Sequence, residues 1–262
     1  MSIRVERSFY EAVGGGRVKA ARSLLRDHPR LDVNWANELR YTALHSASVN
    51  NRAESVKLLL EQPAIDVNVK NKYGQTAVII GCWNGWEDVV QMLLKDPRVD
   101  VALGDSGGRT PLWWAACHGK GQVVEWLIAS GRDLGEVNPP NSVSTPLEIA
   151  RERGKAEVVL LLERFMANPT QIRHELRVKL GRLDEMAAEV FALTVFLCDD
   201  LLQLKPASHL SSTRFFFIIT KLPVELQMVL CHRAVGSMKQ NILHKDSEVA
   251  FHFLAGILLA SE

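Results

Sequence analysis

Charge of one sign is scarce in this sequence. Lys and Arg number 31 against 30 Asp and Glu, and the balance holds locally, with 21 basic and 20 acidic residues up to position 168 and 10 of each beyond it. Neither part has the clustered basic surface that neutralises phosphates, so nucleic acid is not an expected partner. Cysteine is also sparse: Cys82, Cys117, Cys198 and Cys231 stand far apart, with no C-x-x-C and no second cysteine beside His118 to complete a metal site. The simpler reading is a chain with reduced cysteines, cytoplasmic or nuclear, with no metal and no cofactor. Long apolar runs are missing too. The first residues, M-S-I-R-V-E-R-S-F, are charged where a secretory signal needs an apolar core. The most apolar stretch, M-A-A-E-V-F-A-L-T-V-F-L-C from Met186, includes Glu189 and has about thirteen residues where a membrane span takes about twenty. No membrane association is expected, and the state expected is a monomer.

What the sequence does contain is a period. Aligned on threonine, Y-T-A-L-H-S-A-S at Thr42, Q-T-A-V-I-I-G-C at Thr76, R-T-P-L-W-W-A-A at Thr110 and S-T-P-L-E-I-A-R at Thr145 are separated by 34, 34 and 35 residues. Nine positions after each threonine stand Asn51, Gly85, Gly119 and Gly154, followed by S-V-K-L-L-L, V-V-Q-M-L-L, V-V-E-W-L-I and V-V-L-L-L-E. The same order without its threonine opens the chain, with Gly16 in the glycine slot, which makes five units. A period of this length marks stacked supersecondary units. Each slot has a physical role. Threonine caps a helix start, and proline suits the first helical position, as at Thr110-Pro111 and Thr145-Pro146. Ala115 and Ala116 are small because neighbouring helices approach closely, Gly119 supports a left-handed turn, and Val-Val-x-x-Leu gives the second helix one apolar face.

Repeated in register, these residues closely resemble the ankyrin repeat, whose units run T-P-L-H-x-A-A-x-x-G-H-x-x-V-V-x-L-L-L and continue into a hairpin rich in Asp, Asn and Gly. The resemblance implies an all-α fold, an ankyrin-repeat solenoid of helix-turn-helix units and hairpin loops over residues 7–168. Its units are about 7–41, 42–75, 76–109, 110–144 and 145–168, and a small helical carboxy-terminal domain follows over 169–262. N-K-Y-G-Q-T from Asn71 and D-S-G-G-R-T from Asp105 match the family's hairpin tip. Two links depart from it: Arg40 stands where glycine is expected, and N-P-P-N-S-V-S-T from Asn138 is a proline-rich loop.

The resemblance also assigns roles to residues that in isolation suggest chemistry. Cys117 and His118 fall in the variable positions that line the family's concave groove. Neighbours on a helix diverge by about 100° and cannot face each other as nucleophile and base. Gly119-Lys120-Gly121 lacks the Lys-Ser/Thr of a phosphate loop. A thiol enzyme using Cys117, or Cys231 beside His232, lacks an orienting carboxylate in the sequence pattern, and no enzyme is expected. Trp114 is expected in the core. Trp113 replaces the family's histidine and is expected to pack between units. Trp83 and Trp86 are candidate binding residues, the alternative for each being local packing. Hairpin-tip residues Tyr41, Lys72, Tyr73, Gln75, Ser106 and Arg109 are expected to form one strip with Asn84, His118 and Arg153, to which Trp83, Trp86 and Cys117 belong, and to bind a partner protein. L-E-Q-P-A-I-D-V-N resembles the pattern that asparagine hydroxylases recognise, which marks Asn68 as an acceptor; the alternative is that Asn68 braces its hairpin.

Past Pro169 the period stops and helix-like segments follow. L-P-V-E-L-Q-M-V-L resembles the start of an F-box, the module that attaches substrate receptors to cullin-type ubiquitin ligases. That resemblance implies a contact between Leu222, Pro223 and Leu226 and a ubiquitin-ligase linker protein, and an adaptor function. L-P-x-E-L also suits a plain helix with Pro223 in its first turn.

Overall fold

The computed structural model describes residues 2–135, 144–183, 187–188, 190–192, 194 and 224–234. The chain divides into two compact units, Met1–Leu176 and Arg177–Glu262. The first unit extends beyond the expected boundary at 168 and takes in most of α11 (Pro169–Lys179), whose Ile172 and Leu176 are buried.

Five helix pairs build the first unit. They are α1 (Ser2–Gly14) with α2 (Val18–Asp27), α3 (Ala43–Val49) with α4 (Ala53–Leu60), α5 (Ala77–Asn84) with α6 (Glu87–Lys95), α7 (Pro111–Cys117) with α8 (Gly121–Ser130), and α9 (Pro146–Glu152) with α10 (Ala156–Ala167). The first members of the pairs stack in succession as an inner layer, and the second members as an outer layer. Among the described residues there is no strand, only an isolated bridge between Ala36 and Thr42. No described helix is long and apolar enough to cross a membrane.

The threonine slots act as the sequence predicts. Thr42, Thr76, Thr110 and Thr145 are extended N-caps whose side chains accept from the backbone N–H three residues on. Five residues after each cap a small residue is buried: Ala47, Gly81, Ala115 and Ala150. At Gly81 a Cβ would lie 3.1 Å from Val90 and 3.4 Å from Val89, so the outer helix presses directly on the inner one there. Val56, Val90 and Val124, at the same place in three successive units, are all buried, and their equivalent in the last unit, Val159, is half-buried.

The turn after each inner helix is left-handed, at Gly16, Asn51, Gly85, Gly119 and Gly154. Arg40, where the sequence lacks the family's glycine, has the same handedness with φ 59°. A residue with a Cβ costs about 1–2 kcal/mol more than glycine there. The conformation is held by hydrogen bonds: Arg40 N–H donates to the Asn37 carbonyl at 2.8 Å, and the Asn37 side-chain oxygen accepts from Leu39 and Tyr41 N–H at 3.0 Å each.

His45 links two units. Its Nδ1 accepts from Thr42 N–H at 3.1 Å, so the proton sits on Nε2, which donates to the Gln75 carbonyl at 3.0 Å. Burial lowers its pKa below the ordinary value of 6.5, against the opposing pull of the Gln75 and Val69 carbonyls. As pH falls the unfolded chain takes the proton first, so the stability His45 contributes is complete well above pH 6.5 and is lost as pH drops through the lower folded value. Urea unfolding is therefore expected to show a loss of about 1 kcal/mol from this residue between pH 7.5 and 5.5. His45→Gln should remove that part of the slope. An unchanged slope in the variant would contradict the assignment.

Candidate functional site

The hairpin tips are made by side chains that repeat every 34 residues. Asn37 holds the first of them through its bonds from Leu39 and Tyr41 N–H. The Asn71 side-chain oxygen accepts from Tyr73 and Gln75 N–H at 2.9 and 3.0 Å, and Asp105 Oδ1 accepts from Gly107 and Arg109 N–H at 2.8 and 3.1 Å. Adjacent tips then join through the backbone, Lys72 N–H to the Leu39 carbonyl at 3.0 Å and Ser106 N–H to the Tyr73 carbonyl at 3.2 Å. This ladder sets the equivalent residues Leu39 and Tyr73 side by side.

Beneath the tips lies an aromatic cluster. Trp83 and Trp114 stack with centroids 4.6 Å apart and planes at 13°, His118 lies 5.6 Å from Trp114, and Trp113 meets Trp114 edge-on at 5.1 Å. Arg109 places its guanidinium 4.6 Å from the Trp114 ring centroid, a cation–π distance. Asp105 ties cluster and tip together. Its Oδ2 accepts from Trp114 Nε1 at 3.1 Å and from Arg109 Nε at 2.9 Å, while its Oδ1 holds the hairpin. Its side chain is 1 % exposed, so these donors compensate a buried carboxylate.

Tyr73, Lys72, Ser106, Asn84 and Arg153 are exposed, and Tyr41, Arg109 and His118 are half-buried. Trp83 is 39 % exposed beside its stacking partner. Trp86 is half-buried and donates from Nε1 to the Val49 carbonyl at 3.2 Å, so it also fastens the third unit to the second. Two expectations are corrected. Gln75 is 5 % exposed because its amide oxygen turns inward to accept from Asn71 at 3.2 Å, and Cys117 is 7 % exposed because it packs into the end of α7; neither presents its side chain on the surface. Trp114 is buried as expected, at 8 % exposure. Trp113 does more than pack: its indole N–H donates to the Ser144 carbonyl at 3.0 Å, matching the bond from His45 to Gln75.

Asn68 braces its hairpin, its amide donating to the Arg98 carbonyl at 2.8 Å and accepting from Asp100 N–H at 2.9 Å, as Asn34 does with Ala64 and Asp66. Leu222 and Pro223 lie outside the described residues, as does the Leu226 side chain, within the helix Val224–Ala234. Burial pushes the Cys231 thiol up to about 11, opposed by a hydrogen bond with Thr194, the reverse of what activates a nucleophile.

Leu39 and Val49 escaped notice in the sequence, although they are the equivalents, one period earlier, of Tyr73 and Trp83. Arg98 and Arg132, also one period apart, escaped it as well. Arg98 donates to the Leu60 carbonyl at 2.8 Å, and Arg132 to the Leu94, Asp96 and Val99 carbonyls at 2.7 Å each, tying successive outer helices.

A family model of ankyrin repeats in three copies matches residues 64–138, and a second, of ankyrin repeats in many copies, matches 24–81. Residues 24–138 are ankyrin repeats. The fold is thus an all-α ankyrin solenoid, and ankyrin repeats point to a protein partner. No curated protein matches the chain. Neither ankyrin match reaches the L-P-V-E-L segment.

The Asp105 contacts generate a test. Asp105→Ala removes the tip acceptor and leaves the Trp114 indole N–H without its acceptor, so a loss of about 2–3 kcal/mol is expected in chemical denaturation, with a shift in tryptophan emission. A loss below about 0.5 kcal/mol would show that the cluster stands without its carboxylate.

Proposed function

We propose that the ankyrin repeats bind a partner protein through a four-point apolar patch formed by Leu39, Val49, Tyr73 and Trp83. One observation carries this reading. Among the described residues of 24–138, these four are the large apolar side chains left exposed, at 44, 40, 54 and 39 %. They occupy two equivalent positions one period apart, Leu39 and Tyr73 at adjacent hairpin tips and Val49 and Trp83 at the ends of the adjacent inner helices α3 and α5. An exposed apolar side chain alone is ordinary on a protein surface, but a group of them marks an interaction site.

The mechanism follows from the support beneath them. The tips are fixed by Asn37 and Asn71 and by the ladder between them, and Trp83 lies flat on Trp114. A pre-ordered surface loses little side-chain freedom on binding, which leaves more of the burial energy as affinity. Tyr and Trp in such a patch are the residue types most often dominant at interfaces. Lys72, Asn84, Ser106 and His118 adjoin the patch and select among partners through polar contacts. Ligase recruitment rests on the L-P-V-E-L residues and forms no part of this mechanism.

Random peptides displayed on phage and selected on the full chain provide a ligand for the test. Trp83→Ala and Tyr73→Ala should each weaken a selected peptide by about tenfold or more in protein shown by circular dichroism to be folded, and Lys57→Ala on the outer helix should leave affinity unchanged. Full affinity in both aromatic variants would place the contact elsewhere and overturn the proposal.

A further inference from the structure

The chain carries a net charge of only +1, yet cations gather along the edges beside the patch. The position after each turn residue holds Arg17, Arg52, Trp86, Lys120 and Lys155, one in each unit. The side chains bridge neighbouring units in the same way. Arg52 crosses Gly16, Lys120 crosses Gly85 and Lys155 crosses Gly119, so closely that a Cβ on those glycines would lie 3.0, 2.6 and 2.7 Å from the respective Cδ atoms. At the remaining junction Trp86 reaches the Val49 carbonyl. Arg52, Lys120 and Lys155 have no carboxylate partner among the described residues, unlike Arg98 and Arg109, which pair with Asp96 and Asp105. The cations therefore form a column along the turn edge with its anchoring stems already laid down. On the opposite edge, Arg40 adjoins Leu39 and Lys72 adjoins Tyr73, both exposed. Acids at the corresponding positions are few: Glu38 at one tip and Glu152 beside Arg153.

We infer that the segment bound at the patch is an acidic peptide carrying Asp or Glu beside an aromatic or large aliphatic anchor. The inference rests on the patch reading above and adds the charge of the occupant. Complementary charge at the rim of an interface steers encounter and suppresses unlike partners. A nucleic acid fits less well. Leu39 and Val49 offer no flat surface for base stacking, and cations placed at most one per turn are sparse against a strand that carries a charge every few ångströms.

Three labelled probes test it with the full chain: a random Glu-Tyr copolymer, a random Lys-Tyr copolymer and oligothymidylate. The Glu-Tyr copolymer should bind, weakening about tenfold between 50 and 300 mM salt, and the Lys-Tyr copolymer should not. The combined variant Arg52→Gln, Lys120→Gln, Lys155→Gln should lose about tenfold affinity for the Glu-Tyr copolymer, and charge reversal to Glu at the same positions should lose more. Circular dichroism confirms that each variant is folded, and the neutral set serves if the reversed one is not. Equal binding of both copolymers, or full affinity in the neutral variant, would overturn the inference. So would oligothymidylate that binds more tightly and displaces the Glu-Tyr copolymer. If the phage-selected peptides still require Trp83 while the neutral variant keeps its affinity, the acidic occupant alone is wrong. If Trp83→Ala binds both kinds of peptide as well as the unaltered chain, the patch itself is wrong.

Discussion

An α-helix of seven or eight residues has no independent stability in water, since nucleation costs more than so few hydrogen bonds return. The inner helices α3, α5, α7 and α9 are of this length. α3, α5 and α7 exist because inner helices cover each on both sides, and α9 because α7 and α10 pack against it. Small residues at Ala47, Gly81, Ala115 and Ala150 allow the approach, and threonine caps satisfy the starts. In a solenoid of this kind stability is close to a sum over units and junctions, so the bonds at each junction govern how rigid the surface above it is.

The junctions are not alike. Asn34 and Asn68 brace the earlier hairpins, whereas the same slot one period later holds Ala102, and Arg132 spans that junction instead. His45 and Trp113 donate equivalent bonds, but only the imidazole also accepts one and only the imidazole can gain a proton. Trp113 thus keeps the donor half of the family's histidine and gives up the acceptor half. The proposed patch lies on the units joined by His45, Asn34 and Asn68, with Asp105 and the aromatic cluster beneath its later edge.

Most of the fold was legible because it repeats: a threonine, a small residue and a turn position recurring every 34 residues carry their physics with them. The handedness at Arg40 was not, since it depends on the hydrogen bonds of Asn37 rather than on the residue itself. The site was legible only in part. Trp83 and Tyr73 stand out as aromatics, while Leu39 and Val49 look like core residues until the period is used to align them. Gln75 and Cys117 sit in groove positions by number, but whether a side chain turns outward is decided by local partners such as Asn71, which spacing does not encode. Arg98 and Arg132 read as surface charge because their acceptors are backbone carbonyls more than thirty residues away.

The central claim is that one face of this stack, and no other, meets the partner. A photo-cross-linking phenylalanine analogue placed at Asn84, beside Trp83, at Asn50, its equivalent one period earlier beside Val49, and separately at Lys57, on the outer helix, tests it in cells that express the chain. The account predicts the same single adduct from Asn84 and from Asn50, and none from Lys57. An adduct from Lys57 alone, or equal adducts from all three positions, would contradict it.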